Sequence, residues 1–143
     1  MSGPLEGFQR LSQTFEKTIG LEVLDHGDDF VRGRMPVVEK ILQPYGIVHG
    51  GAFCAIAESL ASMGTAVAVA KDGKVAMGQE LSASYMRPVT GGHVNALARV
   101  RRKGRTAWNW DVDITDDDDR LCAVLRLTIA VRDAPKRPFP TQE

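Results

Sequence analysis

Between Ala52 and Ala70 every position but one is apolar or small and uncharged, and the exception is Glu58. A run of that length, hydrophobic around its whole circumference, predicts a helix buried inside a fold. A carboxylate in its middle loses hydration unless a partner or a reaction holds it there. The run approaches membrane-spanning length, yet its alanine, glycine, serine and threonine content and its central charge suit a helix that other backbones approach closely, and no membrane association is expected.

Composition narrows the rest. Lysine plus arginine number 18, as do aspartate plus glutamate, so no global field draws the chain to nucleic acid or an anionic surface. Its 143 residues fit one domain, 1–143, with a core that needs no staple. Cys54 and Cys122 lie in apolar patterns without the paired spacing of zinc or dithiol sites, and both read as reduced core residues. No metal and no other cofactor is expected. The first residues have neither a basic region nor an apolar run, which makes a cytoplasmic location the expectation.

Around the central run, Leu5, Phe8, Leu11, Phe15 and Ile19 recur at helical spacing and predict an amphipathic N-terminal helix, ended near Gly20. Leu21 to Leu24 and Phe30 to Met35 read as a hairpin about Asp25-His26-Gly27-Asp28-Asp29. Four longer strands follow: Val75 to Met86, Val94 to Arg101, a segment on which Trp108, Trp110, Val112 and Ile114 share one face, and Leu121 to Val131. On the first of them Val75, Met77, Leu81, Ala83 and Tyr85 are expected on the buried side. The connections are too short for crossover helices, so these strands are expected to pair consecutively as an antiparallel meander. A flexible tail is expected from 133 to 143. About twenty helical residues and strands of about ten residues both span roughly 30 Å. A long antiparallel sheet curled around one apolar helix buries both, an α+β hotdog fold.

Glu58, Ser62 and Thr65 fall at i, i+4 and i+7, a narrow polar stripe on that helix, with Ser59 beside it. Either the hydroxyls bond back to helical carbonyls while Glu58 finds a structural partner, or the stripe is chemical. Upstream, Gly46 and Gly50-Gly51 permit a sharp turn and leave amide hydrogens free at the helix start, where partial positive charge stabilises an oxyanion. Glu58 lies roughly 12 Å further along the helix than Gly50, a long reach for one carbonyl group to contact both. A two-fold dimer with antiparallel helices would bring Glu58 of one subunit to the Gly50 end of the other.

Gln43-x-x-Gly46-x-x-His49-Gly50-Gly51 followed by Ala57-Glu58-Ser59-x-x-Ser62 resembles the signature of hotdog acyl-CoA thioesterases of the Arthrobacter 4-hydroxybenzoyl-CoA type. That group is related to enzymes of dihydroxynaphthoyl-CoA hydrolysis and of enterobactin proofreading. The likeness runs from about Leu42 to Val131, through Gly78-x-Glu80-Leu81-x-Ala83 and Arg87-Pro88. The resemblance implies hydrolysis of an aryl- or medium-chain acyl-CoA with Glu58 as nucleophile or general base. The Gly50 amide would polarise the carbonyl, with Gln43 and His49 assisting. Ser62 and Met63 would place the water or acyl group. Some relatives carry histidine where this chain has Ser84, which leaves the acyl group open. Arg87, Arg105 and Thr106 would meet the phosphates of coenzyme A, with Arg101, Arg102 and Lys103 adjacent. A homotetramer built from two dimers is also implied.

Four other readings compete, and the resemblance disfavours one of them, a hotdog hydratase, because such relatives usually carry an aspartate and histidine pair where this helix offers only Glu58. The same fold acts on acyl groups carried by acyl carrier protein, and Arg101 to Arg105 would equally serve such a partner. A non-catalytic acyl-CoA binder gains nothing from a buried carboxylate beside the thioester. Nucleic-acid binding would rest on the Arg101 to Arg105 stretch alone, against a neutral net charge.

Overall fold

The computed structural model of the chain describes residues 13–136. Helix α1, Phe15–Ile19, starts where Thr14 Oγ1 accepts the Lys17 amide and stops at Gly20, whose φ of 72° is left-handed. The first part of the expected N-terminal helix, residues 5–12, lies outside the described residues, as does the end of the expected tail, 137–143. Strands β1 (Glu22–His26) and β2 (Phe30–Pro36) form the anticipated hairpin. Helix α2 runs Gly50–Val69. Strands β3 (Lys74–Tyr85), β4 (His93–Lys103), β5 (Ala107–Thr115) and β6 (Leu121–Asp133) follow. Asp133, expected in the tail, instead ends β6 and accepts a hydrogen bond from Lys74 Nζ at 2.5 Å.

All pairings are antiparallel, and the sheet order is β1-β2-β4-β5-β6-β3. Only β4-β5-β6 is a meander; the expected pairing of β3 with β4 does not form. Strand β3 pairs with β6 at one edge, while β4 pairs with β2. The segment between β3 and β4 is too short for a helix, but its seven residues reach up to about 23 Å, and three strand spacings take only about 14 Å. An extended loop therefore crosses the end of the sheet.

A β-bulge between Gly78 and Glu80 changes which side chains of β3 face inward. Ala76, Leu81 and Ala83 pack on the core, whereas Met77, expected inside, is 42% exposed. One inserted residue reverses the alternation, so strict period-two reading fails on the stretch before it.

Helix α2 packs against β2 through β6. Ile56, Leu60 and Trp110 are fully buried between helix and sheet, and Trp108 is also in the core as expected. Thr65, at 0% exposure, accepts the Trp110 indole N–H at 2.9 Å and donates to the Ala61 carbonyl. It is a core residue and no part of a reactive stripe. The helix, with the turn that follows it, is long and apolar enough to cross a membrane, and here it is the core helix of the sheet. Its burial is one-sided: Gly51 and Glu58 are exposed, and Cys54, Ala55 and Ser62 are half-buried. The all-round burial expected for Glu58 is therefore not met in a single chain, because the sheet covers only part of the helix circumference.

Candidate active site

The approach to α2 is a small hairpin. Leu42 bridges Val48, the Gly46 amide donates to the Gln43 carbonyl at 2.9 Å, and the Gln43 amide donates to Ile47 at 2.8 Å. Pro44 suits the first corner, and Gly46 takes the left-handed position with φ of 81°. The Gln43 side-chain oxygen accepts the Tyr45 amide, which leaves its NH₂ as the remaining donor. The Val48 amide donates to Val89 at 2.9 Å, tying this loop to the segment that carries Arg87 and Pro88.

At the helix start His49 is the N-cap, and its Nδ1 accepts the Gly51 amide at 2.8 Å. A neutral ring bonded in this way carries its proton on Nε2. The Ala52 amide donates to the His49 carbonyl. The Gly50 N–H has no acceptor among the described residues, so a donor at the positive end of a 20-residue helix is left available.

A cavity of about 610 Å³ opens there, with Gln43, His49, Gly50, Phe53, Tyr85 and Arg87 among its walls. Tyr85 lies on Gly50: a methyl at that glycine would sit 2.8 Å from the ring. The Tyr85 hydroxyl is 3.1 Å from Cys54 Sγ, and its ring centroid is 6.0 Å from that of Phe53. The bond with Cys54, burial and the thiol's charge push the Tyr85 phenol up to about 12. It therefore stays neutral at physiological pH, and its ring forms part of the cavity wall. Sequence reading took Tyr85 as a strand residue and Cys54 as core. No spacing rule links two residues on separate elements, which is why their meeting was missed. Cys122 is the buried thiol, pushed up by desolvation.

Gln43, His49, Gly50 and Arg87 thus come together in one chain. Glu58 does not join them. It stands two turns along α2 with its carboxylate against Gly78 of β3, where an added methyl would lie 1.7 Å from Oε1. Ser62 and Met63 are half-buried one turn further on. Ser84 lines a groove on the outer face of the sheet with Asp113 and Arg126. Arg105 and Thr106 form the β4–β5 turn, beyond the Ala107–Ala130 pair, whereas Arg87 follows Tyr85, which pairs with Ala123. The two ends are about 23 Å apart along β6. Of the basic stretch, Arg101 pairs with Asp111 and Lys103 with Asp29. Arg102 and Arg105 make no ion pair among the described residues.

The family model of the Thioesterase superfamily matches residues 45–123, which include the cavity's Gly50 and Arg87 as well as Glu58. The chain belongs to that superfamily. It is a thioester hydrolase with the hotdog fold. The thioesterase is 37% identical over 118 residues to the proofreading thioesterase EntH of Cronobacter turicensis, covering 82% of this chain and 85% of that one. A thioesterase of Haemophilus influenzae superposes with a TM-score of 0.85 at 30% identity, covering 97% of this chain and 96% of that one. A Staphylococcus aureus protein has a crystal structure with one glutamate changed to alanine, with TM-score 0.81, 30% identity and coverage of 83% and 98%. A second structure of it carries an alanine in place of a glutamine fifteen positions earlier.

Proposed function

We propose that this thioesterase hydrolyses coenzyme A thioesters of aryl or medium-length acyl groups at a site shared between two protomers. The observation that carries the reading is the unpartnered Gly50 amide at the head of α2, facing a cavity with Gln43 and His49, while Glu58 lies on the open side of the same helix. Strand β3 is a twelve-residue sheet edge beside that open side. A long unpaired edge is a template for a second chain, and a two-fold pairing there sets the α2 helices antiparallel. Glu58 of one protomer then meets the Gly50 cavity of the other, and two such dimers make the tetramer.

In that site the carbonyl oxygen accepts the Gly50 N–H, and the helix terminus stabilises the negative charge that develops on it. Glu58 either takes a proton from water, whose oxygen forms the new bond to the carbonyl carbon, or attacks that carbon itself before water releases the acid. The carbon–sulfur bond breaks and coenzyme A leaves as the thiolate, which takes the proton held by Glu58 in the first route and one from solvent in the second. Gln43 and His49 donate from NH₂ and Nε2, with Ser62 and Met63 on the Glu58 side. Arg87, without an ion pair among the described residues, meets a phosphate at the cavity mouth. Gln43 precedes Glu58 by the interval separating the glutamine and glutamate altered in the Staphylococcus aureus protein, which supports these two as a functional pair. The reading places the enzyme in the cytoplasm, where coenzyme A thioesters are made and used. Arg102 and Arg105 favour a second carrier, acyl carrier protein, which activity on the same acyl group in both forms would separate.

Replacing Glu58 by glutamine keeps volume and removes the charge. The expected outcome is a fall in kcat of about a hundred- to ten-thousand-fold with KM little changed. Near-normal turnover would make Glu58 a surface acid and overturn the mechanism.

A further inference from the structure

Tyr85 touches three things at once: the Cα side of Gly50, the Phe53 ring and the Cys54 thiol. The Gly50 nitrogen is one bond from the carbon on which the tyrosine ring rests. Any carbonyl oxygen that accepts a hydrogen bond from that amide lies about 2.9 Å from the nitrogen, so the acyl group attached to it starts within reach of the ring. The side chain is 53% exposed, with an open face toward the cavity. Its swing is restrained at the far end, where the hydroxyl meets Cys54 Sγ at 3.1 Å.

From this geometry we infer that Tyr85, anchored by Cys54, is a specificity-determining residue that admits flat acyl groups beside the Gly50 amide and hinders thick ones. The inference rests on the proposed role of Gly50. Phe53 backs the ring at an interplanar angle of 41°, so the wall does not yield by sliding inward. A planar aryl group stacks on it, whereas a puckered ring of the same carbon count needs more clearance. Cys54 acts through Tyr85, as a positioning residue.

Benzoyl-CoA and cyclohexanecarbonyl-CoA test this, since they share carbon count and carrier and differ in thickness. The reading is the ratio of their kcat/KM values, compared between wild type and each variant so that intrinsic reactivity cancels. Tyr85→Ala is expected to move the ratio about tenfold toward the cyclohexane substrate. Tyr85→Phe and Cys54→Ala each release the ring and should move it the same way by roughly threefold, with the double variant no further than either single one. For a variant too slow to assay, the ratio of Kd values for the two thioether analogues replaces it. A ratio unchanged in all variants, even with overall rates reduced, overturns the inference and leaves Tyr85 a packing residue. Failure of the Glu58→Gln test would not move this ratio, so the two readings fail separately.

Discussion

Gly78 has no side chain, and the Glu58 carboxylate occupies the space one would fill. Glu58 is exposed and flexible at its tip, so Gly78→Ala displaces the carboxylate without crushing the core. Stability is expected to change by less than about 1 kcal/mol in urea denaturation, while kcat falls about 10- to 100-fold through misplacement of the carboxylate. Loss of both together would point to a folding defect. At this scale the loop residues were readable in advance, because Gln43, His49 and Gly50 are close in sequence and each carries its own turn or cap signal. Tyr85 was not, since its meaning comes from a glycine 35 positions earlier in the chain. The exposure of Glu58 was misread for a related reason: an apolar helix reports what it avoids, not what covers it, and the proposed second protomer would satisfy that as well as the chain's own sheet does.

Among the elements, α2 is pinned to β5 inside the core by the hydrogen bond from Trp110 to Thr65. Thr65→Val keeps the shape but leaves the buried Trp110 N–H without its acceptor. The expected cost is about 1–3 kcal/mol in urea denaturation, with kcat little altered, and a comparable loss of activity in the folded enzyme would return Thr65 to the site. The β5–β6 turn carries a different device. Burial opposes ionisation of Asp116, but the Arg120 amide and guanidinium and the Asp118 amide outweigh it and hold the carboxyl below its ordinary 3.8. The Asn95 amide does the same for Asp117, aided by His93 and against some desolvation. Carboxylates lowered in the folded state contribute stability above their unfolded value and lose it as pH falls through the folded one. Stability should therefore decline below pH 3.8, and the Asp116→Ala/Asp117→Ala double variant should start lower and decline less. An unaltered acid profile would remove these residues from the account. Strand boundaries here were legible from alternation alone; the β3 bulge was not, because one inserted residue leaves hydrophobic content unchanged while exchanging the faces.

For the whole molecule, one helix and one antiparallel sheet of matched length followed from counting residues. The order of strands did not, since loop length limits direction and reach but does not choose a neighbour. That order matters, because it leaves β3 at an edge beside the uncovered face of α2, with Glu58 and the Gly50 cavity apart in each chain. The central claim is that two protomers complete each other's site, and subunit mixing tests it most directly. Glu58→Ala protein and Gln43→Ala/His49→Ala protein, each inactive alone, are mixed in equal amounts and exchanged, with hybrid formation verified by mass. Half of randomly formed dimers are hybrids with one intact site, so activity should return to about a quarter of the wild-type value. No recovery in a sample shown to contain hybrids would contradict the shared site.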